Sequence, residues 1–125
     1  MRLAILLLAA ALPLPLAAQD AAMPDGLAGL GVVTATYECE RGVRVPVTYV
    51  NADAGGSIAV LQVEGSQVAL EQAVSASGAR YAPAGEGAGY RWWSKGDEGL
   101  LLFFPSGEAA EEETLLSECR ALTEG

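Results

Sequence analysis

Residues 33–49 read VTATYECERGVRVPVTY. Val33, Ala35, Tyr37 and Cys39 alternate with Thr34, Thr36 and Glu38, and Val43, Val45, Val47 and Tyr49 alternate with Arg44, Pro46 and Thr48. Successive side chains of a strand point to opposite faces, so a period of two marks a strand with one face buried. Two such runs in sequence predict two half-buried strands. Pro46 has no N–H to give to a ladder, which predicts an edge or a bulge for its strand.

The same grammar continues downstream. Residues 51–57 (NADAGGS) form a turn cluster. Ile58 to Val63 and Val68 to Val74 read as the next two strands, joined by Glu64 to Gln67. Residues 82–89 (APAGEGAG) have the composition of a mobile loop. Tyr90 to Ser94 and Leu100 to Phe104 are aromatic and aliphatic strands connected by KGDEG. Several short strands without a strong helix between them predict an all-β sandwich or barrel, and closure into a barrel removes exposed edges. One segment disagrees. Glu108 to Leu122 (EAAEEETLLSECRAL) holds strong helix formers with acids in its first half, which predicts a helix on local propensity. A short final strand around Leu115–Arg120 is the alternative if Cys119 pairs with Cys39.

The chain has 125 residues and begins as exported proteins do. Arg2 precedes the apolar run Leu3 to Leu12, Pro13 and Pro15 break it, and Leu16-Ala17-Ala18 places small residues before Gln19-Asp20. This order predicts a secretory signal over residues 1–18, cleaved after Ala18. The run falls short of the roughly 20 residues that span a bilayer. No cysteine lies near the cleavage point to carry a lipid, so the expectation is a periplasmic protein that is neither a lipoprotein nor membrane-anchored. Residues 19–30, with Pro24 and Gly26, are expected to form a flexible leader, and residues 31–123 a single domain. The sequence leaves a homo-oligomer open without indicating one.

Seven basic residues stand against sixteen acidic ones, a net charge of −9, and loss of Arg2 with the signal makes the balance more acidic still. Such a protein is repelled by nucleic acid and steered toward basic partners. The two cysteines, Cys39 and Cys119, are expected to form a disulfide in an oxidising compartment. With no histidine in the chain they cannot complete a usual zinc site, so no metal or cofactor is expected. The missing histidine also removes the commonest general base. The pair Asp97-Glu98 and the run Glu111 to Glu113 read as solvated charge, and Gly85 to Gly89 as loop composition.

Two segments stand out, Ser75 to Tyr81 (SASGARY) and Trp92 to Glu98 (WWSKGDE). Each joins a strand end to a small, polar corner, and Lys95 is the only lysine of the chain. By themselves these are ordinary turns beside core tryptophans. In order, however, Tyr37-Glu38-Cys39, Ser77 to Tyr81, Trp93 to Glu98 and Cys119 resemble the signature of the MliC/PliC family, bacterial inhibitors of c-type lysozyme. The resemblance covers about residues 36–120. It implies an antiparallel β-barrel closed by a Cys39–Cys119 disulfide, and an inhibitor with no catalytic residues of its own. It also implies that Ser77 and Lys95 enter the lysozyme cleft, within a contact surface of Ser77, Gly78, Ala79, Arg80, Tyr81, Ser94, Lys95 and Gly96. Arg80 and Tyr81 would chiefly hold the loop, with Tyr81 also in reach of the partner. Two departures are visible. The Ala82–Gly89 loop is longer than the family pattern, with room for added contacts, and the lipidated cysteine of the membrane-bound branch is missing. Arg91, if it faces solvent, should be dispensable. A serine–lysine hydrolase would use the same two residues but needs a buried lysine beside Ser77. A small apolar-ligand barrel needs a hollow interior, which so short a chain would fill with side chains. A third alternative is a structural periplasmic module whose motifs serve folding alone.

Overall fold

The computed structural model describes residues 10–13, 25–107 and 110–122. Apart from 10–13, the expected signal lies outside these residues, as does the leader as far as residue 24. Eight strands follow: β1 Leu30–Glu38, β2 Arg44–Ala52, β3 Ser57–Val63, β4 Ser66–Ala73, β5 Ala79–Ala82, β6 Gly89–Lys95, β7 Glu98–Phe104 and β8 Glu113–Ala121. Each pairs antiparallel with the next and β8 returns to β1, which makes a closed up-and-down barrel. The Cys39–Cys119 disulfide fastens the β1–β8 seam.

The period of two explains the interior. Val45 and Val47 of β2, Ala59, Leu61 and Val63 of β3, Leu70, Trp92 and Leu101 face inward and are buried. Trp92 is 0 % exposed and meets the Tyr37 ring edge-on at 4.8 Å between centroids. Its ring lies over Gly99, where any Cβ would overlap it. Trp92 and Tyr37 therefore fill the part of the interior beside Gly99. Trp92 Nε1 donates to Tyr49 Oη at 2.8 Å, and Tyr49 Oη shares a 2.8 Å hydrogen bond with Tyr37 Oη, so the buried polar tips satisfy one another.

Burial, and next the hydrogen bond to Tyr49, push the Tyr37 phenol well above its ordinary value of 10.0. Below that value Tyr37 is neutral in both folded and unfolded chains and its contribution to stability is complete. Above it the unfolded tyrosine ionises first, so stability falls as pH rises. Denaturant titrations between about pH 8 and 11 should show this decline, and Tyr37→Phe should flatten it.

Pro46 sits in a strand paired on both sides, at neither the edge nor the bulge that its sequence predicts, and the local pairing explains why. It lies opposite Thr36 of β1, while β2–β3 pairing begins only at Val47–Leu61. Thr36 turns its carbonyl toward Leu122 N, away from β2, so Pro46 faces the β3 side, where the ladder has ended. The missing N–H thus leaves no partner without a bond.

Residues 110–122, the described part of the Glu108–Leu122 segment, hold no helix, and the alternative of a final strand around Leu115–Arg120 is the one observed. Among the described residues of this segment, Glu113–Ala121 forms β8. Opposite β7, Gly99 pairs Cys119, Leu101 pairs Leu116 and Leu102 pairs Thr114, so β8 carries an extra residue at two points. Glu118, at φ 55°, sits in one of these bulges. Bulging places the two buried residues, Leu116 and Cys119, three apart. That is helical spacing written by a bulged strand.

The Ala82–Gly89 connection also differs from its expectation as a mobile loop. Residues Ala84–Glu86 form a 3₁₀ turn. Arg91 is 6 % exposed and reaches across it. Its Nη2 donates to the carbonyls of Glu86 at 3.0 Å and Gly87 at 2.9 Å, and its Nη1 to Gly89 at 3.3 Å. Its guanidinium stacks 4.7 Å from the Phe104 ring centroid and lies 3.8 Å from Glu112. Arg91 therefore does not face solvent. Truncation would leave three carbonyls without their donor, while Glu112 keeps Arg80, and Arg91→Ala should cost about 2–3 kcal/mol in a chemical denaturation measurement.

Candidate functional site

The two sequence motifs end on neighbouring strands. The first corner, residues 74–78, joins β4 to β5, and the second, Gly96-Asp97, joins β6 to β7. Strands β5 and β6 pair with Ala79 opposite Ser94, Arg80 opposite Trp93 and Tyr81 opposite Trp92. In an up-and-down barrel this register brings both corners to one end, side by side. The 83–88 connection between the same two strands stands at the other end, roughly 20 Å away along β6. The long loop therefore adds nothing to this surface.

The corners touch. Gly78 has φ 66°, and a Cβ built there would lie 2.5 Å from the Ser94 carbonyl oxygen and 3.1 Å from Lys95 Cβ. The absence of a side chain at Gly78 is what lets one corner rest on the other. Trp93 Nε1 donates to the Ser77 carbonyl at 3.0 Å, and Ser75 Oγ donates to the same oxygen at 2.7 Å. The indole thus ties the first corner to the strand that carries the second. Trp93, the first residue of the second motif, alternates with the buried Trp92 and so faces outward.

Gly78→Ala should cost about 1–2 kcal/mol from the left-handed backbone alone, with the clash against Ser94 added. Gly85 shares the positive φ, at 75°, with no neighbouring atom near its Cβ position. Gly85→Ala therefore isolates the backbone cost. Only Gly78→Ala should shift the Trp93 indole N–H resonance in a nitrogen–proton spectrum.

The second corner is a two-residue turn, with Lys95 paired to Glu98 and Gly96 at φ 60°. Tight hairpin turns ask for a positive φ there. Its acids are engaged elsewhere. Arg120 of β8 lies 3.0 Å from Glu98 Oε1 and 3.5 Å from Asp97 Oδ2, and Ala121 N donates to the Asp97 carbonyl at 2.7 Å. Lys95 is exposed and takes part in no ion pair among the described residues. The result is an ammonium group presented to solvent while the neighbouring carboxylates turn to Arg120. Sequence reading gave Arg120 no such role, because its partners lie more than twenty residues away.

Ser77 is exposed, and the next residue, Gly78, lies against Lys95 Cβ. Ala79 and Ser94 are half-buried beneath the corners. Arg80 pairs with Glu112, which also faces Arg91, so it braces the outside of β5. Tyr81 is placed as the expected holder of the loop, with little of its surface left to reach a partner. It is 4 % exposed, its ring lies 5.7 Å from that of Tyr49, and its hydroxyl faces Ser57 Oγ at 3.4 Å. Tyr81 anchors the corner from inside the barrel. The exposure of Lys95 also fails the requirement of a serine–lysine hydrolase, whose base must be buried to lose its proton.

Residues 37–108 match the family described as membrane-bound lysozyme-inhibitor of c-type lysozyme. A protein of Cupriavidus necator named membrane-bound lysozyme inhibitor of C-type lysozyme is 37 % identical over 108 residues, covering 84 % of this chain and 81 % of that protein. One of the same name from Pseudomonas aeruginosa is 36 % identical over 114 residues, covering 81 % and 86 %. The crystal structure of PliC-St, a periplasmic lysozyme inhibitor of C-type lysozyme from Salmonella typhimurium, superposes with a TM-score of 0.61 at 24 % identity over 74 % of this chain and all of that one. It shares the fold. The structure of Pseudomonas aeruginosa MliC in complex with hen egg white lysozyme matches with a TM-score of 0.50 at 32 % identity, covering 69 % of this chain and 84 % of that one.

Proposed function

The chain belongs to the family of membrane-bound lysozyme inhibitors of c-type lysozyme, and from that premise we propose that it blocks a c-type lysozyme by inserting its two adjacent corners into the active-site cleft. The observation that carries this reading is an exposed Lys95 without an ion pair among the described residues, on a corner that rests against the Ser77–Gly78 corner through the Gly78–Ser94 approach and the Trp93 clamp.

Lysozyme is a retaining glycosidase with two carboxyl groups flanking the scissile bond, one a general acid and the other a nucleophile or charge stabiliser. Lysine brings a positive charge and three donors, and serine one compact hydroxyl. An ammonium shielded from water against a carboxylate contributes roughly 1.5–3 kcal/mol as a charge-assisted hydrogen bond. It also favours the ionised carboxylate over the protonated acid that cleavage requires. The corners are bound to each other before any partner arrives, so little ordering is left to oppose association. The chain's net charge of −9 steers it toward a basic enzyme.

We place the protein in the periplasm in soluble form, released by cleavage after Ala18, although the named relatives are membrane-bound. The support is chemical. The two cysteines of the chain form the disulfide, so neither is left to carry a lipid. Fractionation of producing cells should recover it from the osmotic-shock fluid and not from membranes.

The deciding experiment is a turbidity assay of cell-wall lysis by a c-type lysozyme, with the mature protein added and a g-type lysozyme as control. Slowed lysis by the c-type enzyme alone is expected. Unaltered lysis at a molar excess of the protein would leave the reading without support.

A further inference from the structure

The β1–β8 seam closes only part of β1. Their pairing consists of Tyr37–Ala121 and Glu38–Arg120, with Leu122 N reaching the Thr36 carbonyl. Along Leu30 to Ala35 no strand among the described residues lies on that side of β1, while β2 pairs the whole of the other side. Backbone groups alternate between the two sides of a strand. The Thr36 carbonyl faces β8, so the N–H and C=O groups of Leu30, Val32 and Thr34 face the open side.

Exposed edges are usually blunted by lysine, proline or an inward charge. Residues 30–37 (LGVVTATY) contain none of these. Val32 and Val33 are 52 % and 55 % exposed. The outer row continues from Val32 through Val50 to Ile58, which is 43 % exposed. This uncharged stretch belongs to a chain of net charge −9, whose copies repel one another across most other faces. A basic partner would gain nothing from it electrostatically.

We propose that β1 pairs edge to edge with β1 of a second copy, forming a two-fold symmetric dimer. An antiparallel register centred on Val32 sets Val32 opposite the second copy's Val32, and Leu30 opposite Thr34 in both directions. Every outward backbone group of the three residues then finds a partner. The same register sets Val33 opposite Gly31, where the missing side chain leaves room for the valine. The interface is isologous, so it closes at two copies and does not propagate.

Two substitutions on the outward residues test this without touching β2. Thr34→Pro removes an N–H that points away from β2 and sets a ring against the second copy. Val32→Lys opposes two ammonium groups on the two-fold axis. Light scattering after gel filtration at roughly 100 µM, which detects even micromolar association, should give twice the chain mass for the mature protein. Both variants should give the chain mass itself, with an unchanged circular dichroism spectrum. Where one variant loses its structure, the other decides. A monomeric parent protein, or folded variants that remain dimeric, would overturn the proposal.

Discussion

Replacement of Lys95 by alanine is expected to weaken binding to a c-type lysozyme by about 2–5 kcal/mol, a loss of roughly 30- to 5,000-fold. The size follows from position. Asp97 and Glu98 are occupied by Arg120, so the ammonium meets the partner with no carboxylate of its own to release. Inside a cleft it would face carboxylates in reduced solvent, where an unpaired charge is costly to either side. Truncation therefore removes the contact and strands the enzyme's buried carboxylate. Ser77→Ala should cost only about 0.5–1.5 kcal/mol, because a neutral hydroxyl bond is partly replaced by water. Arg44, exposed near the far end of the barrel and 3.4 Å from Glu38, is the suitable control. Arg91 is not, since it holds the 83–88 turn. Inhibition titrations of the three variants separate the roles. Equal, small losses for Lys95→Ala and Arg44→Ala would remove Lys95 from the mechanism.

Loss of the Cys39–Cys119 disulfide is expected to destabilise the fold by about 4.5 kcal/mol, the chain-entropy value for a loop of some 80 residues. In a domain of this size that lowers the unfolding temperature by on the order of 20 °C or more. The barrel depends on this bond at one place. The β1–β8 ladder has two residue pairs, against nine between β1 and β2. Both cysteines are buried, at 5 % and 1 % exposure, so replacement also leaves apolar surface unfilled. Thermal melts of the oxidised protein and of the Cys39→Ser, Cys119→Ser double variant measure the effect. A change below about 1 kcal/mol would mean that the neighbouring strands hold the seam unaided.

The all-β class was legible because period-two alternation is local. Val45 and Val47 declare their faces regardless of what covers them. The family motifs were equally legible, since Ser77 to Tyr81 and Trp93 to Glu98 are contiguous. Three elements escaped. The bulges of β8 put Leu116 and Cys119 three residues apart and imitated a helix. Arg91 looked like a surface cation because its acceptors are backbone carbonyls, which no composition records. For Tyr81 the loop-holding role was legible but its depth of burial was not, because its motif is exposed at one end and buried at the other.

The sequence by itself determined six of the eight strands, most of the turns, the pair of cysteines and the identity of the corners, but not β5 or β8. Each rests on residues within a few positions of one another, or on a count. The meeting of the corners was decided by tertiary structure alone. It depends on which strand pairs with which and in what register, and the Ala79–Ser94 pairing spans a long loop. Pairing is a long-range choice, settled by the collective burial of Trp92, Tyr37 and the inward aliphatic residues. No short segment carries enough of that burial energy to reveal it.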